Sequence, residues 1–117
     1  MALKKNNITS FGEKLRSLRG QRHLSIREVA SEIGIDTSLL GKIERNERQP
    51  TREQIKLVAQ FFVFNENELL REHLSDQLAY KIIDADADIS ILKLAEQKIK
   101  YVSKKSKLEN RKRHGFQ

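Results

Sequence analysis

The sequence has no cysteine, no tryptophan and a single proline among its 117 residues. Without cysteine the chain can form no disulfide and carries no thiol for redox chemistry, which fits a protein of a reducing cytosol. No stretch approaches the roughly 20 consecutive apolar residues of a membrane span. The beginning of the chain, MALKKNNITSF, also lacks the apolar segment of an export signal. We therefore expect a cytoplasmic protein that does not enter a membrane.

Groups that could build a metal or catalytic site are equally scarce. The three histidines His23, His73 and His114 are far apart in sequence and have no cysteine beside them, so no metal-ligand spacing occurs. The acidic run DADAD at residues 84–88 resembles the start of a calcium loop but lacks its glycine and closing glutamate. No nucleophile, base and orienting acid can be assembled from the spacing. We expect a protein that is not an enzyme and needs no cofactor or metal.

Positive charge, in contrast, is abundant. The formal net charge is +7, and it is unevenly distributed: residues 1–64 and 98–117 are basic, whereas residues 65–97 are acidic. A basic balance favours an anionic partner such as nucleic acid. With 38% apolar residues, a chain of this length predicts one small domain with one core and an appendage.

Residues 25–44, SIREVASEIGIDTSLLGKIE, predict two helices joined by a tight turn. A capping box opens the first helix at Ser25, and Gly34 stands where a left-handed residue would end it. Asp36 or Thr37 can then cap the second helix. Apolar residues recur at helical spacing through both halves, so the two helices should share one core. These residues are Ile26, Val29, Ala30, Ile33, Ile35, Leu40 and Ile43.

The other face of the second helix carries small and polar side chains. If Leu40 and Ile43 face the core, then Thr37, Ser38, Gly41 and Lys42 should face outward. Such side chains suit the DNA major groove, where hydroxyls donate or accept hydrogen bonds and lysine reaches guanine or phosphate. The pattern predicts a DNA-reading helix.

The stretch from Phe11 to about Leu70 resembles the Cro and phage-repressor helix-turn-helix family, also called the XRE-like family. The resemblance joins the helix-turn-helix spacing to GKIERNERQPT at residues 41–51, which is similar to the family's helix end, turn and next helix start. Asn46 stands where the family usually has glycine, and asparagine also tolerates a left-handed backbone. The resemblance implies an all-α fold, a five-helix lambda-repressor-like DNA-binding domain with a C-terminal helical extension.

The resemblance also implies roles for individual residues. Thr37 and Ser38 match the family's principal base-reading positions, with Leu39, Gly41 and Lys42 as further groove-facing positions. Arg19 and Glu44 match a family ion pair that holds the first helix against the third. Cations on the first two helices and polar residues after the reading helix are our candidates for phosphate contacts. These candidates are Arg16, Arg27, Arg45, Asn46 and Arg48.

Further start signals divide the rest of the chain. Helices are expected from Phe11 to about Arg22 after Ser10, from about Arg52 to Phe62 after Thr51, and onward from Asn65. The run DADAD should interrupt the last of these, and a sixth helix should run from about Asp88 to Lys104. We expect residues 1–9 to be mobile and no regular structure after about Lys107. The implied domains are 1–9, a mobile N-terminus; 10–70, DNA binding; 71–104, a helical extension; and 105–117, a basic flexible tail.

The extension carries an apolar stripe longer than the domain core requires. We favour pairing between two copies, because many repressors of this type bind as two-fold dimers; folding back onto the domain is the alternative. The proposed dimerisation residues are Leu74, Leu78, Ile82, Leu92 and Ile99. The sequence thus predicts a dimeric repressor or autoregulator that binds double-stranded DNA. It could be a repressor of phage type or the controller of a restriction-modification operon. The competing hypothesis is an antitoxin-type protein that binds a protein partner through residues 65–104.

Overall fold

The computed structural model describes residues 10–115, with side chains up to Ser106. Six α-helices and no strand occur within that range. They are α1 (Phe11–Gln21), α2 (Ile26–Ile33), α3 (Thr37–Glu44), α4 (Arg52–Phe62), α5 (Glu66–Asp84) and α6 (Ile91–Gly115). The chain forms two compact units, one ending at Ala79 and one beginning at Tyr80. The predicted all-α architecture, a helix-turn-helix domain followed by a helical extension, is confirmed.

Side-chain caps fix where the helices begin. Ser10, Ser25 and Thr51 each accept a hydrogen bond from the amide three residues on, and the side chain at that third position accepts from the cap's own amide. Asp36 caps α3 by accepting from the Leu39 amide at 3.1 Å. Each cap satisfies amides that have no acceptor within the helix. Because the rule is local, the sequence predicts these helix starts.

One apolar core lies among the first five helices, where α2 packs against α3 and α4, and α1 packs against α3. Burying each large apolar side chain contributes about 1.5–3 kcal/mol to stability. Ala30, 1% exposed, is the small residue that the short α2–α3 turn requires, and Gly34 ends α2 with φ of 72°. The core residues are Phe11, Leu15, Leu18, Val29, Ala30, Ile33, Leu40, Ile43, Ile55, Val58, Ala59, Phe62 and Leu69.

The first turn of α1 lies directly on the end of α3. A Cβ atom at Gly12 would stand 2.5 Å from the Glu44 carbonyl oxygen and 2.7 Å from that of Ile43. The same atom would stand 2.6 Å from Asn46 Oδ1. Only glycine permits this approach, so Gly12 sets the distance between α1 and α3.

A buried ion pair fixes the same two helices further along α1. Arg19 Nε donates to Glu44 Oε2 at 2.9 Å, and Nη2 donates to Oε1 at 2.7 Å. The remaining Nη1 donates to the Leu24 carbonyl at 2.9 Å. The Glu44 side chain is 5% exposed, and its hydrogen bonds are the main cause that raises the pKa of Arg19. The planar, two-bond geometry fixes the orientation of α3 as well as its position.

The last helix differs from its predicted bounds. It begins at Ile91 rather than near Asp88, because Asp88 to Ser90 form a turn in which Asp88 Oδ1 accepts from the Ser90 amide at 3.0 Å. Its backbone continues to Gly115 rather than ending near Lys104. Lysine, arginine and glutamate are good helix formers, and no glycine or proline interrupts this stretch before Gly115. The predictions for residues 1–9 and 116–117 lie outside the described residues.

Replacing Gly12 with alanine should destabilise the domain. The added Cβ meets two backbone carbonyls, which cannot rotate away, and overpacking of this kind costs about 1–3 kcal/mol. Gly20 is the matched control in the same helix, because nothing lies within 4 Å of a Cβ placed there. Gly20→Ala should be neutral or stabilising by up to about 1 kcal/mol. Urea unfolding of both variants measures the difference, and equal effects would contradict a close approach at Gly12.

Arg19→Ala should lower the free energy of unfolding by about 3 kcal/mol or more, because it leaves the Glu44 carboxylate buried without its cation. The exposed pair of Arg45 Nε and Glu47 Oε2, at 2.8 Å with side chains 58% and 54% exposed, is the control. Arg45→Ala should cost less than about 1 kcal/mol. Guanidinium chloride is unsuitable because salt screens the pairs, so urea unfolding is the measurement. Similar losses in the two variants would show that burial of Glu44 does not matter.

Candidate nucleic-acid interface

Helix α3 presents a polar face on a fixed scaffold. Thr37, Ser38 and Lys42 are exposed, whereas Leu40 and Ile43 on the opposite face are 0% and 2% exposed. Three polar side chains therefore project from a helix whose other face is locked into the core. This is the arrangement that major-groove readout requires.

Two other predicted base-reading positions lie differently. Leu39 is half-buried and packs against the core. Gly41, which the helical period places on the outer face, is buried; a Cβ there would lie 3.2 Å from Arg45 Nη1 and 3.9 Å from Ile26 Cδ1. The outward placement of Gly41 is a wrong expectation, because the side chain one turn later folds back over it. The period of a helix does not reveal such a covering contact.

The cations proposed for phosphate contact fall into two groups. Arg16, Arg27 and Arg48 are exposed. Arg45 is also exposed but is hydrogen-bonded to Glu47, which raises the pKa of Arg45 and lowers the pKa of Glu47. A phosphate would therefore compete with Glu47 for the Arg45 guanidinium. At Arg16, Arg27 and Arg48 the ion pairs of the described residues give no such competitor.

Asn46 stabilises the fold through both its backbone conformation and its side chain, and the sequence indicates only the first of these. Its φ of 62° is the left-handed conformation that the family's usual glycine would adopt, as the sequence indicates. Its side chain adds a contact that the sequence does not indicate: Nδ2 donates to Ser10 Oγ at 3.0 Å. The residue thus ties the loop after α3 to the start of α1, and one of its two amide hydrogens is already used.

Two further cations, Lys14 within α1 and Arg22 at its C-cap, make contacts within the fold. Arg22 donates to the carbonyls of Phe61 at 3.2 Å and Phe62 at 2.8 Å, which caps the end of α4. Lys14 Nζ lies 4.8 Å from the centre of the Phe64 ring. These partners lie about 40 or 50 residues away in the sequence, so no local pattern could have found them.

The residues proposed for dimerisation are largely uncovered in the single chain. In the first unit, Leu74 and Leu78 are 51% and 50% exposed. In the second unit, Ile99 is 64% exposed, and Ile82 and Leu92 are half-buried. Other large apolar side chains of residues 80–106 are exposed as well, namely Ile83, Ile89, Ile91, Leu94, Tyr101 and Val102.

The described residues contain no group of three or more histidine, aspartate or glutamate side chains placed to hold a metal ion. None of the helices within residues 10–115 is both long and apolar enough to cross a membrane. The groups brought together on α3 and its flanks are hydrogen-bond donors, acceptors and cations. The chemistry they offer is recognition of an anionic polymer with hydrogen-bonding edges.

Comparison with known proteins gives one sequence family and several similar folds. Residues 12–73 match the family described as a helix-turn-helix domain, which is more than half of the chain. No curated protein matches.

Several solved structures are similar to this chain. The restriction-modification controller protein C.AhdI from Aeromonas hydrophila is 34% identical, over 50% of this chain and 89% of its own, with a TM-score of 0.48. The clp gene regulator ClgR from Corynebacterium glutamicum is 22% identical, over 65% and 80%, with a TM-score of 0.50. A chain of the SinR/SinI protein complex is 20% identical, over 80% and 98%, also with a TM-score of 0.50. The last two likenesses concern the fold alone.

The family match covers α2, α3 and α4 with their caps, the Arg19–Glu44 pair and the exposed face of α3. The polar face of α3 therefore lies within the residues that match the helix-turn-helix family. The protein is a member of the XRE-type helix-turn-helix family of DNA-binding regulators.

Proposed function

We propose that the protein is a sequence-specific transcriptional regulator that acts in the cytoplasm and binds double-stranded DNA as a homodimer. The observation that carries the proposal is the exposure of Thr37, Ser38 and Lys42 on a helix whose other face is buried. A rigid helix loses little conformational freedom on binding, so its side chains can discriminate between bases. Domain 10–70 binds DNA in this proposal, and residues 71–104 join two copies.

The three exposed residues of α3 match different parts of a base edge. The hydroxyls of Thr37 and Ser38 can donate to acceptors or accept from donors, and Lys42 can donate to O6 and N7 of guanine. Leu39, which is half-buried, offers the remainder of its side chain to a thymine methyl group. Gly41 makes no base contact in this arrangement, since Arg45 and Ile26 cover it.

Phosphate contacts on either side would fix α3 in the groove. Arg16, Arg27 and Arg48 are exposed. Among the described residues, the ion pairs involve none of these three arginines, so a phosphate would not have to displace an acidic partner. Arg45 would exchange Glu47 for a phosphate, and Asn46 could offer its second amide hydrogen. The basic residues 105–117 would add affinity on any sequence by counterion release.

Dimerisation is supported by the apolar side chains that the single chain leaves uncovered. Leu74 and Leu78 are one helical turn apart on α5 and both are half exposed, so a second copy can bury them together. Two copies roughly double the phosphate contacts and match the two-fold symmetry of palindromic operators. The same exposed residues would equally suit a separate protein partner, which is the antitoxin-type alternative.

The regulatory output that we favour is repression or autoregulation. A phage-type repressor and a restriction-modification controller would use the same DNA-binding surface. The genes beside this one distinguish the two roles.

Selection of genomic DNA fragments with the purified protein at about 150 mM salt should yield a palindromic motif with half-sites about one helical turn apart. Lys42→Ala should lower affinity for that motif by about 1–3 kcal/mol and relax the choice at one base position. Lys56→Ala, which removes an exposed lysine from α4, is the control for the loss of charge. Equal weakening on every sequence would make Lys42 a phosphate contact, and salt-sensitive binding without a motif would contradict specific readout.

Leu78→Lys should convert the dimer to monomers and weaken binding to the palindrome, since it places a charge in the proposed apolar interface. Ala79→Lys adds the same charge at the next exposed position of α5 and should leave the dimer intact. Sedimentation equilibrium measures both. A wild-type monomer that Leu78→Lys unfolds would instead support folding back, and a wild-type protein that co-purifies with a second chain in equal amount would support the antitoxin-type alternative.

A further inference from the structure

The start of α1 is completed by a residue of α5. The Phe11 amide, which has no acceptor within its own helix, donates to Asp76 Oδ2 at 2.7 Å across 65 residues of sequence. The carboxylate also lies at the positive end of the α1 dipole. Each of α1 to α4 also has an N-cap residue immediately before the helix, so only α1 gains this additional acceptor from a distant residue among these four helices. Asp76 therefore docks α5 onto the first turn of α1.

A second contact makes this docking site specific. His73, one turn before Asp76 and 8% exposed, meets the Phe11 ring edge to face, with centroids 6.2 Å apart and planes at 73°. Burial lowers the pKa of His73 and raises that of Asp76, while the Phe11 amide works against the latter change. Glu13, Glu72 and Lys14 are the other charged groups nearby. Both α5 side chains thus contact the same residue, Phe11, in a partly buried site.

The opposite side of that first turn contacts the end of the reading helix. Gly12 lies against the carbonyls of Ile43 and Glu44, and Ser10 Oγ accepts from Asn46 Nδ2 at 3.0 Å. The first turn of α1 is therefore enclosed between α5 and the end of α3. A shift of α5 would either break the contacts of Asp76 and His73 with Phe11 or move the first turn of α1, which lies against the last turn of α3.

A further hydrogen bond runs along the same route. Gln77, the residue after Asp76, donates from Nε2 to Gln49 Oε1 at 2.6 Å. Gln49 belongs to the loop that follows α3 and carries Arg45, Asn46 and Arg48. Consecutive residues of α5 thus contact both the start of α1 and the loop that we propose for phosphate contact.

We propose that Asp76 is a positioning residue for DNA readout, which couples α5 to the reading helix α3 through the first turn of α1. The inference rests on the proposed function, because it concerns the same DNA-binding face. Asp76 contacts no DNA in this arrangement. Leu74 and Leu78, two of the proposed pairing residues, lie within one turn of Asp76. Pairing of two copies would therefore set the spacing and angle of both reading helices through this contact.

The decisive comparison is between Asp76→Ala and Asp84→Ala. Both remove one negative charge from α5, and Asp84 is exposed; loss of a negative charge by itself should strengthen binding to any DNA. If Asp76 positions α3, Asp76→Ala should lower the ratio of specific to nonspecific affinity about tenfold, as expected for coupling of this kind. Asp84→Ala should leave the ratio within about twofold. Asp76→Asn keeps an acceptor oxygen for the Phe11 amide and should restore most of the ratio.

A second measurement does not depend on DNA. Amide hydrogen exchange at Phe11 and at residues 43–46 should accelerate in Asp76→Ala and remain unchanged in Asp84→Ala, since opening of α5 would release both segments. Gln77→Ala, which removes only the exposed contact, should accelerate exchange near Gln49 and reduce the ratio to a smaller extent. If Asp76→Ala does not fold, Gln77→Ala tests the coupling of α5 to the loop after α3, and Asp76→Asn, which should resemble the wild-type protein, is its control.

Unchanged exchange at residues 43–46, together with equal ratios for the two alanine variants, would overturn the coupling. Absence of any sequence preference in the wild-type protein would overturn the proposed function instead. In that case the exchange data would still decide whether Asp76 couples α5 to α3. The two failures are therefore distinguishable.

Discussion

The close approach of α1 to the end of α3 is the constraint on which the DNA-binding unit depends. Gly12 allows the backbone of α1 to lie against the carbonyls of Ile43 and Glu44, and the bidentate Arg19–Glu44 pair fixes the other end of α1 to the same residue of α3. Two attachments on one helix prevent both sliding and rotation. An apolar pair would supply the burial without the planar geometry, so the ion pair serves orientation as much as stability.

This constraint explains how a helix of eight residues can present a defined face. So short a helix is unstable alone in water, because propagation barely offsets nucleation. Here the Asp36 cap, the buried Leu40 and Ile43, and the contacts with α1 hold it in place. The side chains of Thr37 and Ser38 are exposed on the opposite face and are available for recognition. Because the core face and the exposed face of α3 are separate, the residues that we propose for base reading should be replaceable without loss of the domain.

The sequence predicts the local parts of this structure well. Capping boxes at Ser10, Ser25 and Thr51, the left-handed Gly34 and the helix periods all depend on residues within four positions of one another. The family resemblance supplies one long-range contact, Arg19 with Glu44. Nothing in the pattern reveals that Arg22 caps α4 or that Asp76 caps α1, since those partners are brought together only by packing. The wrong placement of Gly41 has the same origin, because a side chain from the next turn covers it.

Several of the long-range contacts that the sequence does not reveal converge on the first turn of α1. Ser10 accepts from Asn46, Phe11 donates to Asp76 and packs against His73, and Gly12 contacts α3. A turn fixed from three directions transmits displacement, because none of its neighbours can move without breaking a hydrogen bond or overlapping a carbonyl. The exposed apolar residues of α5 begin within one turn of this point. The covering of those residues and the geometry of α3 are therefore linked by the fold itself, whichever macromolecule provides the cover.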